Sequence, residues 1–520
     1  MEIRKETLKN VAWLSLLFIC LGSIFYSEAL VSERTTILFG DEGYWGVLGK
    51  WTAQTMKLPT DPIYSGGTNV YTEKFTNTYL HALFTAGLFR LGGEPLVKAS
   101  SPLLVLMTSL LVFVFVRRMY GIEAASFSTI LFASLPSVVT HGVLLYSDML
   151  LTLFVLASFV LLHRGLSGNS SKHLLLAGIF GGLAMLTKES GFLLMPLYAL
   201  AILTFDKKLD APFLKKCAVV AGAALLVALP WYGIHNYLQF GTLGSIPIVG
   251  SAVVEYTGTG LQSAAEFAGR TAGGGTEASV TGYGLLNYAS FAYTIGVFFL
   301  AIGGFSYMAY SKRKQDYLWL LFTLLLFAIP LYLGNWRAED AARFTLPAAL
   351  GFGAAAGLFC SEIYKNLRTF GGTAGKIAAV SFVLVLTLTT ALTGVAKADG
   401  LAGIKVFPQG FYDGCDWIRE NTPQDAGFMT LWSSRAAYHC ERDFYWSHLP
   451  DFNDIILGDA DLTYTKLNEH GIDYIYIQKF SISFQPLVES YPLEFVRKLE
   501  DTDKYENVYE NADVIVFKVK

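Results

Sequence analysis

Long apolar runs constrain this chain more than any other feature of its sequence. Of its 520 residues, 53% are hydrophobic and only 16% are charged, a composition too apolar for a soluble protein of this size. A helix needs about 20 apolar residues to cross a bilayer, and several runs approach or reach that length. We predict eleven spans, at 11–31, 96–116, 124–145, 148–163, 173–187, 190–204, 214–232, 289–310, 317–334, 343–361 and 376–395. The expected fold class is therefore a polytopic α-helical membrane protein.

The distribution of basic residues predicts how these spans are oriented. Arg4, Lys5 and Lys9 precede the first span, and every second loop after it is basic, as in "SKRK" at 311–314. Because Lys and Arg are enriched in cytoplasmic loops, we expect a cytoplasmic N-terminus, in the plasma membrane of the cell. An odd number of spans then places the C-terminal segment outside. The charge pattern supports an odd number of spans more firmly than it supports a total of eleven. The N-terminal segment is interpreted as an uncleaved anchor, since no persuasive cleavage site follows it.

A change of composition near residue 397 predicts a second domain. Residues 397–520 are polar and contain no run long enough to span a membrane. Period-two apolar patterns predict strands, and helical periodicity predicts helices. The strands are expected at 427–432, 472–478 and 513–519, and the helices at 410–421 and 461–471. Strands that alternate with helices are typical of a small α/β domain. We place the helical membrane domain at 1–396 and this domain at 397–520, outside the cytoplasm.

Three features of these two domains leave alternatives open. Cys415 and Cys440 both lie in the α/β domain, where oxidation can occur, and a disulfide and two free thiols are equally expected. The first outer loop, 32–95, contains an apolar stretch at 78–91 that is too short to span and is predicted to lie in the membrane interface. The outer loop 233–288 is rich in Gly, Thr, Ser and Ala, and is expected to be either a flexible lid or a plain connector.

Charged and histidine residues collect at the outer ends of the predicted spans. A carboxylate at the centre of a helix in lipid costs about 2.5–3.5 kcal/mol, so such residues normally face a polar cavity. Each has a structural alternative: Asp41 could cap a helix, and Lys188 and Arg343 could reach to the interface. Their shared side favours one polar site outside the cytoplasm. In chain order they are Asp41, Glu42, Glu73, Lys74, His141, Asp148, Lys188, Glu189, His235, Arg337, Glu339, Asp340 and Arg343.

Short motifs at these positions resemble the GT-C-fold glycosyltransferases that use polyprenyl-phosphate sugars, especially the protein O-mannosyltransferases and the aminoarabinose (lipid A) transferases. Asp41–Glu42 matches the family's acidic "DE" in the first outer loop, and "EKFT" at 73–76 resembles its "EKPP" but lacks both prolines. The remaining matches are Asp148 in "YSDMLLT", Lys188 in "LTKES", His235 in "LPWYGIHNY", Arg343 in "RFTLPAALGF", and "DWIRENTPQDA" at 416–426. The oligosaccharyltransferase branch is disfavoured because its "WWDYG" string is absent.

The resemblance implies transfer of a sugar, with inversion, from a polyprenyl monophosphate (undecaprenyl or dolichyl) to an acceptor hydroxyl outside the cytoplasm. It implies that Asp41 is the general base, that Glu42 orients the helix or substrate, and that Asp148 holds sugar or acceptor hydroxyls. Cations would stabilise the departing phosphate. The implied phosphate-binding residues are Lys74, Lys188, Arg343 and His235. Glu73 and His235 loosely match a divalent metal site of the aminoarabinose branch, so a metal is an option. No cofactor is required, because the lipid phosphate is itself a leaving group.

Two other functions are compatible with a membrane protein of this kind. A transporter or flippase of lipid-linked sugars also carries charges in its spans, although no internal repeat is visible here. A receptor could use the α/β domain for binding, but that function leaves the grouped charges unexplained. On the transferase hypothesis the partners are the lipid-linked donor, the membrane, and a lipid, glycan or protein acceptor. No nucleic-acid partner is expected, and the sequence indicates neither the sugar nor the oligomeric state.

Overall fold

The chain forms two compact units in a computed structural model. The structure describes residues 2–34, 41–56, 80–235, 293–311, 313–333, 343, 345–370, 372–402, 407–431, 433–445, 451–479, 482–483 and 491–520. The first unit, here the helical unit, comprises residues 1–34, 77–81 and 99–401. The second, here the sheet unit, comprises residues 35–76, 82–98 and 402–520. Each is described by itself.

Apolar helices build the helical unit. They are α1 (Glu2–Arg34), the later part of α3 (Leu80–Tyr120), α4 (Ile122–Ala133), α5 (Pro136–Val143), α6 (Ser147–Ser167), α7 (Ser171–Thr187), α8 (Leu194–Asp206), α9 (Ala211–Leu229), α10 (Ile295–Ser311), α11 (Lys314–Leu333), α12 (Ala349–Thr369) and α13 (Gly372–Ala402). Three short irregular helices join them, at Glu189–Leu193, Pro230–His235 and Leu346–Ala348.

Every predicted span falls largely on helix in the part of the chain that the structure describes. Within that part, six helices are long and apolar enough to cross a membrane, or seven if one bent pair counts as a span. Three further apolar helices, at 171–187, 190–206 and 295–311, are shorter. The polytopic helical fold is therefore confirmed, whereas the number of eleven stays a prediction.

The predicted span 124–145 is two helices. α4 ends at Ala133, and α5 begins at Pro136 with its axis turned by 59°. Proline has no N–H to continue the hydrogen-bond ladder of a preceding helix, and it favours the first position of a new one. The residue before it, Leu135, is accordingly extended. The bend redirects α5, which carries His141.

The sheet unit includes segments of the first outer loop. α2 spans Asp41–Thr55. Residues 80–91 of the predicted interfacial stretch 78–91 form the first part of α3, and the backbone leaves helical geometry at Gly93, with φ 66° and ψ −161°. Glycine tolerates this positive φ without strain. The structure thus separates 80–92 from the later part of α3, while a position in the membrane interface stays a prediction.

A five-stranded mixed sheet forms the core of the sheet unit. Its order is β2-β1-β3-β7-β6, in which β1 is parallel to β2 and β3, and β7 is antiparallel to β3 and β6. A separate parallel pair, β4-β5, stands beside it. The strands are β1 (Gly427–Met429), β2 (Asp443–Tyr445), β3 (Tyr474–Gln478), β4 (Ile482–Ser483), β5 (Tyr491–Pro492), β6 (Tyr505–Glu510) and β7 (Val514–Val519). The expected α/β domain is confirmed.

Helices and a disulfide complete the sheet unit. The helices are α14 (Gln409–Asn421), α15 (Ser433–Cys440), α16 (Phe452–Leu457), α17 (Ala460–Glu469) and α18 (Leu493–Lys498). Cys415 of α14 is bonded to Cys440 at the end of α15, which settles the alternative left open by the sequence. Both sulfurs lie in an apolar core with Phe428 and Tyr476.

Some predictions about boundaries and loops stay untested. The boundary between 396 and 397 lies within α13, which continues through Ala402. Nearly all of the outer loop 233–288 lies outside the described residues, as do Arg337, Glu339 and Asp340.

Candidate active site

A buried carboxylate with two cations marks the candidate site of the helical unit. Asp148 is fully buried. The Nζ of Lys188 donates to one of its oxygens at 2.5 Å, and the Nε of Arg343 donates to the other at 2.9 Å. The two ion pairs join residues 40 and 195 positions away from Asp148. Three of the predicted site residues are thus brought together in one cluster, which we name the Asp148 cluster.

Local structure positions each member of the cluster. Asp148 lies in the first turn of α6, where the helix dipole favours a negative charge. Lys188 follows the last residue of α7 and adopts an extended backbone, with φ −163° and ψ 147°. Arg343 stands shortly before the short helix Leu346–Ala348. All three side chains therefore come from helix ends.

The turn that presents Lys188 depends on a glycine. A Cβ on Gly191 would lie 2.5 Å from the carbonyl carbon of Ala184 and 2.6 Å from its oxygen. Real Cβ atoms do not approach backbone this closely, so a larger residue would push the turn away from α7. Gly191 is the last residue of "LTKESG", and the close approach explains why the sequence has glycine there.

Two histidines and a tyrosine of the helical unit surround the Asp148 cluster. His81 and His141 are buried and lie close enough to Asp148 and Arg343 to interact with their charges. The guanidinium of Arg343 lies 4.6 Å from the ring centre of Tyr146, within the range of a cation–π interaction. His141 is among the residues predicted at the outer ends of the spans, whereas His81 and Tyr146 were not predicted to belong to the site. Each of the three is a polar or aromatic residue in an apolar helix or next to one. That position is the signal by which the sequence could have indicated them.

The charge of the cluster suits an anion. Lys188 and Arg343 contribute two positive charges and Asp148 one negative charge, so the three side chains carry one net positive charge. Burial makes that charge act strongly, because little water screens it. Guanidinium and ammonium groups are the usual protein ligands of phosphate. The charge of the cluster is therefore of the kind that attracts a phosphate and stabilises negative charge that develops on it.

The predicted acidic pair of the first outer loop lies in the sheet unit. Asp41 is the first residue of α2, and Glu42 is buried one residue later. Glu42 lies close enough to Tyr438 of α15 for its charge to act on the phenol, whose hydroxyl donates to Glu94 at 2.9 Å. Burial and the charges of Glu94 and Glu42 raise the pKa of Tyr438 well above its ordinary value. Tyr438 is thus a fixed hydrogen-bond donor that sequence reasoning missed.

The remaining predicted site residues are not described in full. Glu73 and Lys74 lie outside the described residues, and so do the side chains of Asp41 and His235. Over the part of the chain that is described, no group of three or more His, Cys, Asp and Glu side chains could hold a metal ion. This finding does not cover the predicted metal ligands Glu73 and His235, because the side chains of both are outside the described part of the chain.

Comparison with known proteins points to one fold. Residues 77–233 match the family model of dolichyl-phosphate-mannose-protein mannosyltransferases. A structure of ArnT from Cupriavidus metallidurans bound to undecaprenyl phosphate superposes with a TM-score of 0.64, covering 97% of this chain and 98% of that one at 12% identity. The chain has the GT-C fold.

Two further solved structures share the GT-C fold. The oligosaccharyltransferase of Archaeoglobus fulgidus in the apo form matches with a TM-score of 0.63 and 15% identity, over 90% of this chain and 69% of that one. The mycobacterial arabinofuranosyltransferase AftD matches with a TM-score of 0.53 and 13% identity, over 96% of this chain and 41% of that one. No curated protein matches the chain in sequence. Identities this low establish the fold, and the activity has to be argued from the site.

Proposed function

We propose that this protein is an inverting glycosyltransferase, which moves a sugar from a polyprenyl monophosphate to an acceptor hydroxyl on the extracytoplasmic side of the membrane. The observation that carries the proposal is the Asp148 cluster. In this cluster one carboxylate contacts two cationic side chains, in a buried part of a GT-C fold. The family model over residues 77–233 supports the same activity, since that segment contains Asp148 and Lys188.

The cluster is assigned to the leaving group. As the acceptor oxygen forms its bond to the anomeric carbon, the bond from that carbon to the phosphate oxygen breaks and its electron pair stays on the phosphate. Lys188 and Arg343 would stabilise this charge more strongly in the transition state than in the ground state, which is what accelerates a reaction. Asp148 is assigned as a positioning residue, in place of the hydroxyl-binding role that the resemblance implies, because its two oxygens contact the Nζ of one cation and the Nε of the other.

Asp41 is assigned to the acceptor. The hydroxyl loses its proton as it attacks, and a carboxylate within reach of that proton serves as the base. Asp41 heads α2, and Glu42 beside it is buried and acts on Tyr438. We assign the proton to Asp41 and a positioning role to Glu42. Lys74 and His235 are proposed as additional phosphate ligands.

Related structures support the choice of donor. The ArnT structure contains undecaprenyl phosphate, and a second structure of the archaeal oligosaccharyltransferase contains dolichol-phosphate and an inhibitory peptide (TM-score 0.61, 14% identity). A polyprenyl phosphate is therefore the donor class we propose here. The sugar, and the choice among lipid, glycan and protein acceptors, are left open. The proposal requires no metal, and a chelator should leave turnover unchanged unless Glu73 and His235 bind a divalent ion.

The test uses the purified full-length protein in detergent with a panel of radiolabelled polyprenyl-phosphate sugars. Sugar transfer and donor hydrolysis are measured for the wild type, Asp41→Asn and the matched control Asp413→Asn, which alters an exposed aspartate of α14. Release of sugar from one donor, lost in Asp41→Asn and retained in Asp413→Asn, supports the proposal. A flippase would move the donor intact, so the absence of any released sugar across the panel would contradict it. Unchanged release in Asp41→Asn would refute the assignment of the base.

A further inference from the structure

The sheet unit contains a polar cavity that the proposed chemistry does not use. It has a volume of about 280 Å³ and lies between the second half of α2, the end of α15 and the start of β2. This is close to the lower end of the range of ligand pockets, about 300–1,000 Å³. The cavity can hold a small ligand or one end of a larger one, and it is too small for a folded partner.

The charges that line the cavity are balanced. Lys50 and Arg442 contribute two positive charges, and Glu441 and Asp443 contribute two negative charges. The Nζ of Lys50 donates to Glu441 at 2.6 Å, and Arg442 donates to the carbonyl oxygens of Thr422 and Glu441 at 2.9 and 3.0 Å. A lining with no net charge has no preference for a phosphate or another polyanion, and favours a neutral ligand.

The uncharged part of the lining combines aromatic faces with side-chain amides. Trp51 and Tyr438 contribute rings, while Gln54 and Gln424 are exposed. Over the part of the chain that the structure describes, neither of these two amides makes a hydrogen bond. Each amide offers two donors and an acceptor. Tyr438 is 3% exposed and has the Nζ of Lys50 over its ring at 5.3 Å, so Trp51, which is half-buried, contributes the more accessible ring. Planar amides beside such a ring suit a ligand that carries many hydroxyl groups around an apolar ring face, which is the chemistry of a saccharide.

One helix connects the cavity to the proposed base. α2 runs without interruption from Asp41 to Thr55, and Lys50 lies nine residues after Asp41, or about 14 Å along the axis. The phenol of Tyr438, which lines the cavity, also feels the charge of Glu42. A ligand seated in the cavity is therefore held at a fixed distance from the start of α2.

From this arrangement we infer that the cavity binds a saccharide portion of the acceptor and so orients the acceptor hydroxyl. The part of this inference that identifies the ligand as the acceptor rests on the proposed function. Binding of a saccharide to the cavity can be measured without any turnover. It narrows the acceptor to a glycan or a molecule that carries one, and it assigns Trp51, Gln54 and Gln424 to recognition of the acceptor.

The experiment measures saccharide binding to the full-length protein in lipid nanodiscs. Mannobiose, chitobiose and lactose are titrated by saturation-transfer NMR and isothermal calorimetry, in parallel with a serine-rich peptide. The double variant Gln54→Ala/Gln424→Ala removes two exposed amides, and Gln409→Ala removes an exposed amide of α14 outside the cavity. Two lost hydrogen bonds should weaken binding about tenfold or more.

Saturable binding of at least one saccharide, weakened about tenfold in the double variant and unchanged in Gln409→Ala, is the expected result. Absence of saccharide binding would overturn the inference, and so would equal affinity in the double variant. Binding of the peptide alone, weakened in the double variant, would overturn it in favour of a peptide site. Donor hydrolysis by the wild type, measured on the same preparations, tests the proposed function separately. Absence of hydrolysis would refute that function, and the binding result would still decide whether the cavity takes a saccharide.

Discussion

A charged cluster of the helical unit and an ion pair of the sheet unit differ in how far their side chains are buried. In the helical unit, the side chains of Asp148, Lys188 and Arg343 are 0%, 9% and 18% exposed. In the sheet unit, the ion pair of Lys50 and Glu441 has side chains that are 30% and 49% exposed. Burial of three charges is costly, and a protein keeps them where they perform a task. The contrast suggests that the Asp148 cluster is built to stabilise a developing charge, and the cavity beside Lys50 and Glu441 to exchange a neutral ligand with water.

The largest difference between the two kinds of ion pair is expected in stability. Asp148→Asn removes the carboxylate that both cations contact, and loss of one partner of a buried ion pair costs about 3–5 kcal/mol. The control is Glu362→Gln, which removes the partner of Lys365 in a more exposed pair and should cost about 0–1 kcal/mol. Thermal unfolding in detergent, followed by fluorescence, compares the two. Equal shifts would show that burial does not distinguish them.

The second difference concerns turnover. Arg343→Lys keeps the positive charge but loses the planar guanidinium that contacts Asp148 and Tyr146, so it is not a conservative change. Removing one group that stabilises a transition state lowers the rate about 10²–10³-fold. Donor hydrolysis at saturating donor measures this rate. Arg313→Lys is the matched control, because its guanidinium also contacts an aspartate and a tyrosine, Asp316 and Tyr120, and does not belong to the Asp148 cluster. A smaller loss for Arg343→Lys than for the control would contradict the assignment.

A third prediction concerns the sheet unit alone. Cys415 and Cys440 lie 25 residues apart and are joined by a disulfide, which stabilises a fold by about 2–4 kcal/mol. Cys415→Ser should lower the melting temperature of the protein and abolish the effect of a reducing agent on it. Cys360→Ala, at a buried free cysteine of the helical unit, should leave that effect in place. If a reducing agent left the melting temperature of the wild type unchanged, the prediction that this disulfide stabilises the sheet unit would be wrong.

The smallest effect is expected at the exposed pair. Although burial opposes it, the hydrogen bond and charge of Lys50 lower the pKa of Glu441. A carboxyl whose pKa is lowered by folding stabilises the fold above its unfolded value, about 4.3, and this stabilisation is lost as the pH falls through the lower folded pKa. Lys50→Met should therefore cost about 0.2–1 kcal/mol at pH 7 and less as the pH falls below 4. A cost independent of pH would exclude the ion pair as its cause.

Elements with strong periodicity could be predicted from the sequence, and elements defined by their neighbours could not. The predicted strands 472–478 and 513–519 are β3 and β7, because both are apolar runs that the sheet buries. β6, "YENVYE", was missed because it is a polar edge strand whose hydrogen bonds to β7 define it. The bend between α4 and α5 was also missed, since hydrophobicity is continuous across Pro136.

The candidate site shows the same limit. The sequence placed Asp148, Lys188 and Arg343 on one side of the membrane, because charged residues at span ends are visible in a hydropathy pattern. It could not show that Asp148 contacts both cations, since those contacts join positions 40 and 195 residues apart. Nor could it show that the charge of Glu42 acts on Tyr438, because a single tyrosine in the α/β domain carries no pattern.

The most direct test of the central claim is the binding of a polyprenyl monophosphate to the purified protein. Radiolabelled undecaprenyl phosphate is titrated against the wild type, Lys188→Met and Lys216→Met. Both lysines contact an aspartate, but only Lys188 belongs to the Asp148 cluster. The account predicts saturable binding that Lys188→Met weakens by at least tenfold and Lys216→Met leaves unchanged. Equal affinity in all three proteins would contradict the claim that the cluster binds the donor phosphate.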